Sequence, residues 1–296
     1  MPRRPPMRLK RRDLLRGGAA LVAGGALTTG VDGLCLTPFK LDVSHHDFGV
    51  SPAPTSGPAT EAIPTPAESR PLRIAHVSDL HLSRVGPLEE RVLEALHSLA
   101  PDLLVITGDS LSAARGEGPL VDFLAACPDV PHRLAILGNW EISSGVPVAR
   151  LRAHHERHGF ELLVNRSVRV TLGDRSVRVT GFDDFRQGRP DPVAAFAGEE
   201  PCDHHLVLAH CPVHRDKLAL PPEHPADLVL SGHTHGGQVA PGGIALFTPP
   251  GSGRYVAGWY RDGGPPLFVS RGIGTSAAPI RIGSVPELAC IDWHLA

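Results

Sequence analysis

Five short apolar runs in this chain each stop on a polar residue able to hold a cation, and that arrangement restricts the fold more than any other feature. The runs are RIAHVSDLH, DLLVITGDS, RLAILGNWE, HLVLAHCPVH and DLVLSGHTH, at residues 73–81, 102–110, 133–141, 205–214 and 227–235. Each is apolar on both faces, as a strand covered on both sides by other layers must be. Helical patterns separate the first three. Residues 88–99 place Leu88, Val92, Leu93, Leu96 and Leu99 on one face, and residues 119–126 and 146–158 also read as helices. Strands alternating with helices predict an α/β sandwich in which functional groups lie just past the carboxyl ends of the strands. Further on, SVRVTL and SVRVTGF flank Gly173-Asp174-Arg175 as a hairpin, and residues 244–247, 254–260, 267–270 and 287–293 read as further strands. A chain of 296 residues can bury one such core, and a single domain over residues 71–296 accounts for the pattern.

The amino end has a different character. Arg11-Arg12-Asp13-Leu14-Leu15-Arg16 precedes a weakly apolar, Gly/Ala-rich run at 17–31. Residues 1–33 resemble a bacterial twin-arginine export signal, cleaved or kept as an anchor, since the run is shorter than the roughly 20 residues of a membrane span. The expectation is engagement with the twin-arginine export machinery and residence in the periplasm or on the outer face of the cytoplasmic membrane. Residues 34–70 read as an extended segment, with alternating Phe39, Leu41 and Val43 able to form an edge strand, followed by a Pro/Ser/Thr/Ala linker at 51–70. His45-His46-Asp47 reads as a solvated turn, because adjacent histidines in a strand would face opposite ways. The cysteines at 35, 127, 202, 211 and 290 form no paired motif, so neither a zinc ribbon nor a disulfide framework is assigned. With 29 basic against 31 acidic residues, bulk charge gives no reason to expect nucleic-acid binding.

The polar residues at the strand ends, in chain order, are Asp79 and His81, Asp109, Asn139, His210, then His233 and His235. Converging on one rim they would supply imidazoles, carboxylates and an amide oxygen, the donor set that two divalent cations need. Asn139 is one of only two asparagines in the chain and stands where an amide is wanted. Any single strand-end Asp or His is more often a turn or core residue than a ligand. Seven together are a different matter.

The blocks DxH, GD, GN followed by an acid two residues on, a lone His and GHxH resemble the calcineurin-like metallophosphoesterase family, from about Arg73 to the carboxyl end. The resemblance implies a four-layer α-β-β-α sandwich with two divalent ions, Mn, Fe, Zn or Co. It implies Asp79, His81 and His235 at one ion, Asn139, His210 and His233 at the other, and Asp109 bridging. Hydrolysis would then be in-line attack of hydroxide on phosphorus, with Asp109, Asn139 and His210 at its centre. Cys211 beside His210 is not needed as a nucleophile.

One position departs from the family pattern. Where most members carry a histidine after the asparagine, this chain has Trp140, whose indole donates a hydrogen bond but delivers no proton at neutral pH. Either the leaving group needs no acid, as with a diphosphate, or His205, His214 or Glu141 substitutes, or turnover has been lost. HTHGGQV at 233–239, SRGIG, PIRIG and PEL resemble an exported, membrane-associated branch that includes UDP-2,3-diacylglucosamine pyrophosphatases. That resemblance implies a phosphodiester or diphosphate substrate, a lipid-linked one among them, met at a membrane surface. Trp140 is expected to be a wall or stacking platform, and Arg271 and Arg281 are candidate phosphate contacts. A general or cell-wall phosphodiesterase is the alternative, and a catalytically silent metal-bound scaffold a more distant one.

Overall fold

The structure, a computed structural model, describes residues 32–49, 70–172, 175–198, 202–217 and 220–295. The targeting segment read at 1–33 and the linker read at 51–70 lie outside the described residues, except at positions 32, 33 and 70.

The described residues form two six-stranded sheets. The first contains β1 (Asp42–Phe48), β2 (Leu72–Val77), β3 (Leu103–Ile106), β4 (His132–Ile136), β5 (Glu161–Leu163) and β12 (Glu287–Trp293), in the order β1-β12-β2-β3-β4-β5. The second contains β6 (Arg166–Leu172), β7 (Arg175–Gly181), β8 (His204–Leu208), β9 (Leu228–Ser231), β10 (Gly258–Tyr260) and β11 (Leu267–Val269), in the order β10-β11-β9-β8-β7-β6. Strands β2 to β5 run parallel, as do β7, β8 and β9, so both sheets direct their carboxyl ends to one rim. The hairpin read from sequence is β6–β7, antiparallel from Arg166↔Gly181 to Leu172↔Arg175.

Alternation within each strand builds the layers. Ile74, Leu103, Val105, Leu134 and Ile136 of the first sheet meet Val177, Val179, Leu206, Leu208 and Leu230 of the second in a core between the sheets. The intervening residues Ala75, Val77, Leu104 and Ile106 pack outward under the helices. That outer layer consists of α1 (Pro87–Leu99), α2 (Glu117–Ala126), the short α3 (Asn139–Ser143) and α4 (Val148–Arg157). Helix α1 opens with Pro87, which has no N–H to leave unpaired, while the Glu89 carboxylate accepts from Gly86 N at 2.9 Å. Its buried Leu88, Val92, Leu93 and Leu96 each contribute about 1.5–3 kcal/mol by leaving water. The far face of the second sheet carries a thinner cover, with Phe182, Phe196 and Tyr255 around the single-turn α5 (Pro192–Ala195). The four layers expected from the resemblance are therefore present, the last of them slight.

Several local expectations are corrected. His45-His46-Asp47 is no turn: it lies inside β1, pairing in parallel with Cys290, Ile291 and Asp292 of β12. His46 sits over the Phe268 ring at 4.6 Å, so an aromatic neighbour from the other sheet draws it into the strand. The sandwich thus begins upstream of residue 71. Residues 244–247 form an exposed loop instead of a strand, and of 254–260 only β10 is extended. His155, whose residue type alone would place it toward solvent, is buried four residues after Leu151, on the core face of α4. Its Nδ1 donates to Leu151 O at 2.8 Å and its ring meets Phe160 edge-on.

Candidate metal centre

Each of the five strand ends carries the donor expected of it, and the two sheets bring all seven donors to one place. Asp79 and His81 follow β2, Asp109 follows β3, Asn139 opens α3 after β4, His210 follows β8, and His233 and His235 follow β9. The ligand atoms fall into two buried groups, Asp79/His81/His235 and Asp109/His210/His233, each within 4.8 Å of one another. Asp109 reaches both, with Oδ2 at 3.1 Å from His210 Nε2 and 3.7 Å from His81 Nε2. The main chain is unusual here. Asp79, His81, Asp109, His233 and His235 all have left-handed φ, between 47° and 72°. Non-glycine residues hold that conformation only at a cost of order 1–3 kcal/mol each, and such strain concentrates at functional sites. Two glycines let the strand ends approach: Gly108 takes φ 88°, and a Cβ on Gly138 would collide with the Asp109 carboxylate.

Hydrogen bonds aim the imidazoles. His210 Nδ1 faces the carbonyl of Thr107 at 2.7 Å and must donate to it, which turns Nε2 toward Asp109. His233 Nε2 likewise donates to Pro250 O at 2.9 Å, leaving Nδ1 directed inward. His81 Nδ1 is held by Ser112 Oγ at 2.7 Å. Burial pushes His81 down to about 4, and also lowers His233 and His235, so these rings are neutral near pH 7 as ligands must be. Burial opposes charge on Asp109 and His210 too, but with no cation between them the pair overrides it: each holds the other ionised, with the Asp109 carboxyl at about 2 and His210 well above its ordinary value, and a bound cation would take the place of the His210 proton.

Do these residues fit a pair of cations? Asn139 Oδ1 is buried and has no hydrogen-bond partner, an orphaned acceptor directly beside Asp109 and the two triads. A buried carbonyl oxygen of this kind costs about 1–3 kcal/mol unless something positive satisfies it. With two carboxylates and four inward imidazoles, the donor chemistry fits two divalent ions and does not discriminate among Mn, Fe, Zn and Co.

Glu141 holds the frame. Its carboxylate accepts from Gly138 N and Asp109 N at 2.9 Å each, and from Ser110 N, tying the second and third strand ends together. Burial and the nearby Asp109 raise its carboxyl to about 7. None of the three candidate replacements for the missing histidine lines the cavity above the triads: Glu141 is committed to these amides, His205 to Thr180 Oγ1 and Pro225 O, and His214 packs between Phe182 and Phe185. Cys211 is buried with its Sγ directed at Asp184, and burial raises its thiol pKa, so no thiolate is available as a nucleophile. Cys127, Cys202, Cys211 and Cys290 are all free.

Arg271 and Arg281 are directed elsewhere. Arg271 pairs with Asp42 at 2.5 Å and Glu287 at 3.0 Å, and the fully buried Arg281 donates to the carbonyls of Arg271, Gly272 and Gly274, with Nη2 3.1 Å from His235 Nδ1. Neither lines the cavity; Arg281 acts behind His235. The basic residue that does line it is Arg186, which no motif in the sequence marks. Its only sequence signal is a place in a loop between two strands of the second sheet. Trp140 is half-buried, its main-chain N–H donates to Asp109 Oδ1 at 2.8 Å, and its ring stands edge-on to His81 at 5.8 Å. Two spaces meet at this indole. One, of about 430 Å³, is walled mainly by apolar groups, among them Val239, Leu246, Phe247, Pro249 and Ile280, with Arg186 at its side. The other, of about 460 Å³, is more polar, with Ser83, Ser112, Arg115 and Thr275.

A two-sheet sandwich that gathers paired Asp/His triads at its strand ends defines a metal-dependent phosphoesterase. The chain belongs to the calcineurin-like phosphoesterase family, which it matches over residues 72–237, and is accordingly a hydrolase. It is similar to the metallophosphoesterase YkuE of Bacillus subtilis, 28% identical over 291 residues that cover 95% of this chain and 96% of that one. The phosphodiesterase YaeI of Escherichia coli is 29% identical over 75% of this chain and 82% of its own. The UDP-2,3-diacylglucosamine pyrophosphatase LpxG of Chlamydia muridarum is 29% identical over 57% of this chain and 65% of its own.

Proposed function

We propose that the protein hydrolyses a phosphodiester or diphosphate bond in a substrate with one apolar arm, a lipid-linked compound of the UDP-diacylglucosamine kind. The observation that carries this reading is the pair of unlike spaces meeting at Trp140 above the triads. A phosphomonoester has one substituent and would leave one space unused. A diester or diphosphate has two, and the contrast in lining suits one apolar and one polar substituent. The absence of a proton donor at Trp140 agrees with a leaving group that departs as a phosphate ester of low pKa.

In this reading Asp79, His81 and His235, Asn139, His210 and His233, and Asp109 would hold two divalent ions, whose Lewis acidity would activate water and offset charge on the phosphoryl oxygens. The remaining work falls to the chain. His210 and His233 keep Nε2 and Nδ1 presented through their bonds to Thr107 O and Pro250 O, Glu141 fixes the loops bearing Asp109 and Asn139, and Arg186 binds a non-bridging phosphate oxygen at the apolar side. Trp140 excludes water from the near side of the phosphorus and separates the two arms. Export through the twin-arginine route and residence in the periplasm or on the outer face of the cytoplasmic membrane belong to the same proposal.

Initial rates on UDP-diacylglucosamine, bis-p-nitrophenyl phosphate and p-nitrophenyl phosphate, with Asp109→Ala as the blank, test it. The expected order is acylated diphosphate, then simple diester, then monoester. Arg186→Ala should raise KM for the diphosphate about tenfold with a smaller change in kcat. Faster cleavage of the monoester, or activity surviving in the blank, would remove the proposal.

A further inference from the structure

The described residues expose eight large apolar side chains, and six of them fall in two segments, 34–39 and 244–247, that border clefts beside the metal centre. Ile244, Leu246 and Phe247 are 72%, 69% and 69% exposed; Leu34, Leu36 and Phe39 are 52%, 52% and 45% exposed. Leu246 and Phe247 line the wall of the apolar space, Ile244 lies outside that lining two residues earlier in the same exposed loop, and Phe39 borders a cleft that reaches His81. Main-chain bonds lay these segments side by side. Gly33 O accepts from Arg281 N, Ile282 bonds on both sides of Val239 through Gln238 O and Ala240 N, and Leu246 N donates to Val239 O at 3.1 Å. Neighbouring main chains in such an array stand roughly 5 Å apart. The described residues thus begin, at Asp32, at the edge of this same patch, and the sequence immediately before them, 17–31, is apolar and uncharged. Arg84 and Arg115, both exposed, line the clefts on the opposite side of Trp140.

We propose that Leu34, Leu36, Phe39, Ile244, Leu246 and Phe247 form a collar that seats the mouth of the site on a lipid bilayer. A patch of this kind is disfavoured on a protein that meets only water, and its continuity with both the cavity and the 17–31 run selects the bilayer as occupant. The collar faces acyl chains, and the flanking arginines suit anionic head groups. The inference rests on the reading of a lipid-linked substrate: an acyl chain would pass from the bilayer along Phe247 and Leu246 into the apolar space without crossing water.

The test uses the full chain, as parent and as the double variant Leu36→Ser/Ile244→Ser, mixed with vesicles of phosphatidylethanolamine and phosphatidylglycerol and sedimented with them. Neither residue lines the apolar space, so turnover of soluble bis-p-nitrophenyl phosphate should be unchanged, which also reports that the variant is folded. Vesicle partitioning should fall about tenfold or more. Ile244→Trp should partition at least as well as the parent and lose fluorescence when the acyl chains are brominated. Equal partitioning of parent and double variant overturns the collar, since the 17–31 run alone would then hold the protein. A parent that dimerises and ignores vesicles, beside a monomeric double variant, also overturns it and assigns the patch to a second copy. The preference for acylated over unacylated diphosphate, measured below the concentration at which the substrate aggregates, stands apart: its loss with vesicle binding intact removes the substrate reading and leaves the collar.

Discussion

At the scale of single residues, the centre is built against local preference. Asp79 is fully buried, takes φ 55° and has its carboxyl raised by burial and by the nearby Asp109. Its oxygens accept from His233 N at 3.0 and 3.1 Å, a bond an amide oxygen can keep. Asp79→Asn should therefore lower phosphodiesterase activity by about a thousandfold or more through loss of a ligand charge, while raising the melting temperature of the chelator-treated protein, because a buried charge is gone and asparagine tolerates left-handed backbone better. A drop in that melting temperature would show that the carboxylate stabilises the fold on its own. Trp140 is a choice of a different sort. Its main-chain N–H serves Asp109 whatever the side chain, so Trp140→His should leave the centre intact and restore a proton donor at the wall of the site. Monoester turnover is expected to rise about tenfold to a hundredfold, and the discrimination between acylated and simple diesters to fall as the two spaces merge. Rates on the two substrate classes decide it.

Among the secondary elements, α4 carries a buried charge switch that its sequence conceals. His155 sits on the Leu151 face, and burial brings it to about 4 from 6.5, despite its bond to Leu151 O. Between those values the unfolded chain binds a proton that the folded chain refuses, so stability present above pH 6.5 is lost as the pH falls toward 4. His155→Leu, which also removes an unpartnered buried Nε2, should leave stability within about 1 kcal/mol at pH 7 and exceed the parent by about 2 kcal/mol at pH 5, read from urea titrations at both pH values. His76 and His214 are lowered to about 4 by burial in the same way and steepen the acid limb further. The histidine-rich end of α4 shows why the sequence under-specified this element: at 154, 155 and 158 residue type says polar, and only the four-residue spacing from Leu151 places one ring inside. The strand ends were legible because five apolar runs each stop at a possible cation donor, and seven such residues together are more than turns or a core require. Residues 244–247 were not, because a continuous apolar tetrad looks the same whether it pairs in a sheet or stands as an exposed loop. In β1 the error ran the other way, since paired histidines read as solvated until Phe268 and Trp259 arrive from the opposite sheet. Arg281 and Arg186 exchange expectations for a similar reason. An arginine's reach makes its target invisible in sequence, and one beside a glycine-rich motif turns inward to backbone carbonyls while one in an unmarked loop faces the cavity.

For the whole molecule, the donors of each triad come from both halves of the sandwich: Asp79 and His81 from the first sheet with His235 from the second, Asp109 from the first with His210 and His233 from the second. An ion in either position would therefore act as a staple between sheets otherwise joined by apolar contact through residues such as Ile74, Leu206 and Phe268. Anything that binds the folded chain and not the unfolded one raises stability by RT ln(1 + [L]/Kd), about 4 kcal/mol at a thousandfold excess over Kd. For a domain of this size, a shift of that order corresponds to roughly ten degrees in melting temperature. Removing metal with EDTA should lower the melting temperature by about that amount and abolish hydrolysis, and adding back manganese should restore both. The two effects are separable by mutation. His210→Ala and His81→Ala weaken different triads, so each should reduce the manganese-dependent shift by roughly half, whereas Asp109→Ala, which touches both, should erase most of it. Calorimetric scans of the three variants with and without manganese measure this directly. Equal shifts in all four proteins would mean that the ion sits elsewhere, and with it the argument that the two sheets share one centre would fail.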